Sequence, residues 1–369
     1  MSQPQVLDLL PTDVEADLRS TVRGLLDARC DPTAVTALYD GDRAVVAPLW
    51  QALSRELGLA GLLVPEDRGG AGAGAREAAV VLEELGRSVA PVPFLTSAVI
   101  ATTALLETEG ELLAELAAGE RTAALLAPLS TGPQDPVPVL RTDGAGLVSG
   151  AVTSVAGALE ADTLLVLVAT DGGPALGVVA ASEASVVPVS SLDMTRQLAD
   201  VTLDGARVTL VLDEGEPAVR RALQAGAALL ASEQAGLARW CLDETLAYLK
   251  VRTQFGRVVG GFQAIKHRLA DLFAEVESTS AVAANAAAAL AADDPDLLVA
   301  TCVAQSFCSD AAVHAAEEAV QLHGGIGMTW EHPTHLYLKR AKADQVALGT
   351  PGTHRTRLAE LVDLPGANA

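Results

Sequence analysis

Several residue clusters in this 369-residue chain could support chemistry, and their spacing decides which chemistry. His323, His332 and His335 gather loosely near the C-terminal end. No cysteine or acid stands at metal-ligand spacing beside them, so the sequence does not read as a zinc site and no metal is expected. Cys302 and Cys308 lie six residues apart in a helical stretch and share a face poorly. No Gly-x-Ser-x-Gly elbow is present, so a hydrolase of that design is excluded. The glycine-rich run Arg68-Gly69-Gly70-Ala71-Gly72-Ala73-Gly74 lacks the Lys-Ser/Thr ending of a phosphate loop. Nor does it join a strand to a helix with an acid at the distance a dinucleotide fold needs.

The elements that must position these residues follow a clear order. Pro11-Thr12-Asp13 offers a helix start before an apolar stripe of Val14, Leu18, Val22, Leu25 and Leu26. A second helix is expected near Ala44 to Leu57, ending at Gly58, and a third carries Val80, Val81, Leu82 and Leu85. From Arg121 to Leu212 the pattern changes to short β-rich runs, Thr122–Leu126, Thr163–Val168, Leu176–Val179 and Val201–Leu203. Gly, Pro and Asp punctuate them, which predicts a compact antiparallel β-domain. After Glu216-Pro217 the chain turns helical again. Leu223, Leu230 and Leu237 repeat on one face, and Phe262, Ile265, Leu269, Leu272, Phe273 and Val276 form a second amphipathic helix. Asp294-Pro295-Asp296 separates a third. The reading is mainly α with a central β-domain: N-terminal helices over 1–119, a β-domain over 120–213, and a C-terminal four-helix bundle over 214–369.

Composition limits the partners. Half of the residues are apolar but only 3% are aromatic, and much of the rest is alanine, which favours helix. The net charge of −22 would repel a polyphosphate backbone, so nucleic acid is not an expected partner. The opening residues lack the basic start and apolar core of a signal peptide. The alanine stretch Ala281 to Ala292 is too short and too weakly apolar to span a bilayer. Cys30, Cys241, Cys302 and Cys308 are scattered and read as buried thiols of a reducing, cytoplasmic compartment.

Local strings then carry a resemblance. Leu57-Gly58-Leu59-Ala60-Gly61-Leu62-Leu63-Val64-Pro65-Glu66, with Gly69-Gly70 behind it, and Glu83-Glu84-Leu85-Gly86-Arg87 stand in the first third. Arg252-Thr253-Gln254-Phe255-Gly256, Phe262-Gln263-Ala264-Ile265-Lys266-His267, Gln321-Leu322-His323-Gly324-Gly325-Ile326-Gly327 and Glu331-His332-Pro333 follow in the last. In this order and spacing they resemble the acyl-CoA dehydrogenase family, and the resemblance covers nearly the whole chain. It implies α,β-dehydrogenation of an acyl-CoA thioester. A carboxylate removes the α-proton, hydrogen bonds to the thioester carbonyl acidify it, and FAD takes the β-hydride.

The family's flavin lies across a subunit interface, and the two sides are unequally kept here. By motif position Arg252, Gln254, Phe255, Gln263, Gln321, Gly324 and Gly325 resemble residues donated to a neighbour's FAD, with Thr350 a further cofactor position. Arginine pairs with a diphosphate as a multi-donor fork, and paired glycines allow close backbone approach. Singly, Arg252 also reads as a helix-end cation and Gly324-Gly325 as a helix terminator. The other side is missing. Ala127-Pro128-Leu129-Ser130-Thr131-Gly132-Pro133-Gln134-Asp135 stands where members carry Thr-Glu-Pro and then Gly-Ser-Asp. Thr153-Ser154-Val155-Ala156 stands where they carry Trp-Ile-Thr. The base is absent from both of its usual places, which hold Leu348, before Gly349-Thr350, and Gly226. Glu233, one heptad after Gly226, is the nearest acid that could substitute.

This pattern resembles the base-lacking chain of heteromeric bacterial acyl-CoA dehydrogenases of the steroid side-chain type. It implies an acyl-CoA substrate, a second dehydrogenase-like chain in a heterotetramer, and electron-transfer flavoprotein or a similar acceptor. A self-sufficient homomeric enzyme using Glu233, and a dehydrogenase-like scaffold without redox function, are the alternatives.

Overall fold

The computed structural model describes residues 7–143 and 146–365. Helix α1 (Asp13–Arg29) starts as the sequence predicts. Thr12 Oγ1 accepts from the Glu15 amide at 3.2 Å, and Glu15 Oε2 accepts from the Thr12 amide at 2.7 Å, a reciprocal cap. Helix α2 (Ala75–Arg87) packs beside it, and the buried Glu84 carboxylate holds Arg19 at 3.1 Å and Arg23 at 2.6 Å. The helix expected near Ala44–Leu57 changes character within its length: Val46–Gln51 is α-helical and Ala52–Glu56 is a π-helix, ended by Gly58 at φ 68°. A second π-helical segment, Phe94–Ala101, is wholly buried. Buried on every side, with Thr96 and Ser97 among its apolar residues, it carries no periodic signal, so the sequence does not single it out.

The middle region forms an eight-stranded sheet from β1 (Ala123–Leu125), β2 (Val139–Thr142), β3 (Leu147–Ala156), β4 (Thr163–Thr170), β5 (Gly173–Ala180), β6 (Ala184–Pro188), β7 (Leu198–Arg207) and β8 (Thr209–Leu212). Its path is β6-β7-β3-β2-β4-β5-β8, with β1 also on β4. The expected antiparallel pairing holds elsewhere, but β1 and β2 both run parallel to β4, so the sheet is mixed. The reason lies in β4, whose first six residues are all buried. A strand covered on both faces reads as a continuous apolar run and accepts parallel neighbours.

The last region holds three long helices among the described residues: α3 (Gly215–Val251), α4 (Gln263–Ala291) and α5 (Leu297–His323). The expected fourth helix is divided into α6 (Thr334–Asp344) and α7 (Pro351–Leu361), both packed on α5. The turn between them carries Leu348 at φ 55° and Gly349 at φ 100°. Alanines set the helix spacing. Ala228, Ala231, Ala235, Ala283, Ala286 and Ala304 form one buried cluster with Cys308. Closer still is the crossing of α2 and α3, where a β-carbon on Gly86 would lie 2.2 Å from the Glu233 carbonyl oxygen and one on Gly236 would lie 1.9 Å from that of Glu83. Side chains are excluded at both positions. The segment Leu297–Met328 is long and apolar enough to cross a membrane, yet it is the core helix of this bundle. All four cysteines are free and buried. Phe273, expected on an apolar face, is 51% exposed, because that side of α4 has no neighbour within the chain.

Candidate active site and cofactor surface

The two places where a base is expected come together, and neither can accept a proton. Gly226 on α3 lies under the α6–α7 turn. A β-carbon built on it would sit 3.2 Å from Leu348 Cδ1 and 2.8 Å from Ile100 Cγ1. Around them is a small apolar pocket lined by Ile100, Leu125, Ala127, Pro128, Leu223 and Leu348, among others. Its cavity volume is about 20 Å³. That is room for roughly one water, against roughly 300 Å³ or more for a pocket that takes a cofactor ring.

Backbone hydrogen bonds tie the walls of this narrow pocket together. The Leu348 amide donates to the Leu129 carbonyl at 2.8 Å, and the Gly349 amide to the Ser130 carbonyl at 3.1 Å. Leu129 in turn donates to the Ser154 carbonyl at 2.9 Å. Residues 127–135 and 153–156 are thus stitched to each other and to the turn. Ser154 itself occupies a bulge in β3 at φ 57°, its amide held by Asp200 Oδ1 at 3.0 Å. Arg220 on α3 donates to the Pro133 carbonyl at 3.0 Å and fixes the far end.

Glu233 is placed away from solvent in a five-membered ionic network. It is 1% exposed. Arg196 Nη2 donates to its Oε2 at 2.5 Å and Arg340 Nη1 to its Oε1 at 2.6 Å. Arg196 also holds Asp344 at 2.6 Å, and Arg340 holds Asp193 at 2.8 Å and Thr195 Oγ1 at 2.6 Å. Burial alone would push the Glu233 carboxyl upward, but Arg196 and Arg340 outweigh it and hold the group below its ordinary range. Three carboxyls face two guanidiniums, so one carboxyl is in excess. Asp344 is that one: burial first, then the Glu233 charge, lift it well above the ordinary range. The network ties the loop before β7 to α3 and α6. Sequence reading missed Asp193, Arg196, Arg340 and Asp344. The available signal was Arg340 and Asp344 falling on the buried stripe of α6 with Leu336, Tyr337 and Ala341.

The residues assigned to a neighbour's FAD are arranged differently. Arg252, Gln254, Phe255, Gln263, Gln321, Gly324 and Gly325 are all exposed. They lie at one end of the bundle, where α3 ends, α4 begins and α5 ends. The Tyr248–His323 ring stack, 4.5 Å between centroids, joins the ends of α3 and α5. The Arg268–Glu318 pair at 2.5 Å joins α4 to α5. Strands β9 (Thr253–Gln254) and β10 (Arg257–Val258) form a hairpin there. Phe255 at φ 52° and Gly256 at φ 74° make its turn, a geometry suited to a two-residue hairpin. Phe255 is 91% exposed at the tip. A β-carbon on Gly324 or Gly325 would meet nothing within 4 Å, so their backbone stands open. Gln263 Nε2 lies 2.9 Å from His267 Nε2. Thr350 is apart from this surface; it caps α7, its Oγ1 accepting from the Thr353 amide at 3.2 Å.

Of the three histidines, His323 and His332 come together, with centroids 4.4 Å apart, while His335 packs against Trp330. The acid that sequence spacing does not supply arrives from α3 as Glu244.

The sequence profile of the acyl-CoA dehydrogenase N-terminal domain matches residues 12–120, and that of the C-terminal domain matches residues 213–362. Acyl-CoA dehydrogenase IpdE2 of Mycolicibacterium smegmatis is 37% identical over 341 residues, covering 92% of this chain and 96% of that protein. Acyl-CoA dehydrogenase FadE34 of Mycobacterium tuberculosis is 37% identical over 360 residues, covering 95% of this chain but 48% of FadE34. Among solved structures, a chain of the ChsE4-ChsE5 complex from Mycobacterium tuberculosis superposes with a TM-score of 0.86 at 27% identity, covering 98% of this chain and all of that one. Matching profiles at both ends and near full-length relatives agree with the fold: the chain belongs to the acyl-CoA dehydrogenase family, FAD-dependent oxidoreductases that act on a CH–CH bond.

Proposed function

We propose that this chain is the base-free subunit of a heteromeric acyl-CoA dehydrogenase and completes the FAD site of a related partner chain. The observation that carries the reading is the small, filled apolar pocket around Gly226 and Leu348. It offers no proton acceptor and no room for a flavin ring. The opposite end of the chain fits the outer half of FAD. Arg252 would pair with the diphosphate, Gln254, Gln263 and Gln321 would donate hydrogen bonds, and Gly324-Gly325 would let backbone approach. When bound in the partner, FAD supplies the acceptor for the β-hydride, and a carboxylate of the partner removes the α-proton. Electron-transfer flavoprotein or a similar protein would be the acceptor that reoxidises the complex.

Glu233 serves structure in this reading, since two guanidiniums occupy both of its oxygens. Similarity to the ChsE4-ChsE5 complex, and to a Tcur3481-Tcur3483 complex described as a steroid acyl-CoA dehydrogenase, supports the heteromer and a bulky, steroid-derived thioester. The second matches at 28% identity with a TM-score of 0.82, covering 95% of this chain and 98% of that one.

Arg252→Ala in the assembled complex tests the assignment. Loss of one charge-assisted contact costs about 1.5–3 kcal/mol, or roughly ten- to a hundredfold in FAD affinity. The variant complex should shed FAD on dilution and regain turnover when FAD is added. Unchanged FAD retention would overturn the assignment.

A further inference from the structure

We propose that Glu244, His323 and His332 form a binding site for one divalent transition-metal ion of the zinc class. One ligand atom from each lies within 4.8 Å of the other two. The site joins α3, the end of α5 and the turn that precedes α6, and it is distinct from the pocket around Leu348.

The hydrogen bonds of the two imidazoles fix their free nitrogens. His323 Nδ1 lies 2.7 Å from the Ala319 carbonyl, which can only accept, so Nδ1 carries the proton. Nε2 is then a lone-pair atom, and it has no partner although the residue is only 3% exposed. A buried acceptor without a partner is costly unless something fills its place. His332 Nδ1 lies 3.2 Å from Thr334 Oγ1, and that hydroxyl donates to the Gly327 carbonyl at 3.1 Å. The Thr334 amide donates to the same nitrogen at 3.4 Å, so without an ion Nδ1 accepts and the ring proton is on Nε2, facing Glu244. An ion at Nε2 would move that proton to Nδ1, where Thr334 Oγ1, its own proton given to Gly327, can accept it. A second hydrogen bond that fixes the metal-facing nitrogen is the usual support of a histidine ligand.

Spacing supports an ion over a direct contact. His332 Nε2 and Glu244 Oε1 are 3.6 Å apart, too far for a good hydrogen bond. Two ligands at about 2.0–2.1 Å from one tetrahedral ion stand ~3.4 Å apart. Two imidazoles and one carboxylate suit zinc, and because Glu244 is half-exposed a fourth position would be left for water. Bound there, the ion would pin the residue just before Gly324-Gly325. The inference does not depend on the heteromer.

The test is zinc binding by the chelator-treated full chain, read by calorimetry and by metal analysis after dialysis. One Zn²⁺ per chain is expected, with a raised thermal midpoint. Glu244→Gln and His332→Gln should each weaken binding by about tenfold or more. Both change partly exposed side chains, and circular dichroism would verify their folds. Co²⁺ should give the visible bands of a four- or five-coordinate ion in the parent chain and lose them in Glu244→Gln. No binding at micromolar zinc, or equal binding by both variants, would overturn the proposal; the latter would place the metal elsewhere.

Discussion

Leu348 packs directly on Gly226: a β-carbon placed on Gly226 would come within 3.2 Å of Leu348 Cδ1. The two places where the family resemblance sets a base therefore fill one another with apolar atoms.

Restoring an acid at this spot should not restore catalysis. Leu348 is 1% exposed, and a glutamate there would put a carboxylate into an apolar pocket without a partner. Leu348→Glu should lose roughly 3 kcal/mol or more of stability, and the isolated chain should still fail to oxidise any acyl-CoA. Denaturant melts and a dye-reduction assay read the two outcomes. An active, yellow single chain would contradict the filled-pocket account.

The ionic network makes an unequal prediction for two of its acids. Burial and the Glu233 charge raise the Asp344 carboxyl, so of the two acids it is the one less favoured in its charged form, and Asp344→Asn should cost less than about 1 kcal/mol. Glu233→Ala takes one charged partner from each of Arg196 and Arg340, which keep Asp344 and Asp193, and should cost more, about 2–3 kcal/mol. Urea midpoints compare them. Equal costs would show that the excess proton lies elsewhere in the network.

Acid should weaken the fold through histidines that stay neutral inside it. Burial, then Lys339 and His332, bring His335 down to about 4, and burial lowers His354 as well. An unfolded histidine titrates near ~6.5, so below that pH the unfolded state holds more protons than the folded one. Stability from these groups is complete above ~6.5 and is lost as pH falls towards the folded-state value of His335. Urea midpoints at about pH 7 and about pH 5 should differ in that direction, and His335→Phe should shrink the difference. A slope of the opposite sign would refute this.

Much of the fold was legible because it rests on local pattern. Pro11-Thr12-Asp13 announces α1, and Asp294-Pro295-Asp296 announces the break between α4 and α5. The Arg252–Phe255 and Gln321–Gly325 strings were legible as motifs, and the chain brings them to one end of the bundle. What sequence could not show was long-range. The parallel seats of β1 and β2 on β4 depend on non-local pairing. Glu233 acquires its partners from Arg196 and Arg340, far away along the chain, and Glu244 meets His323 only through helix packing. Spacing rules see ligands on one element, so an acid from another helix escapes them.

The central claim is that this chain serves a partner's FAD and holds none of its own. The direct measurement is the flavin-to-protein ratio of the complex purified with its dehydrogenase-like partner, from flavin absorbance and quantified chains. The account predicts one FAD for each pair of unlike chains, and a colourless protein when this chain is purified alone. One FAD per chain in the complex, or a tightly held FAD in the isolated chain, would contradict it.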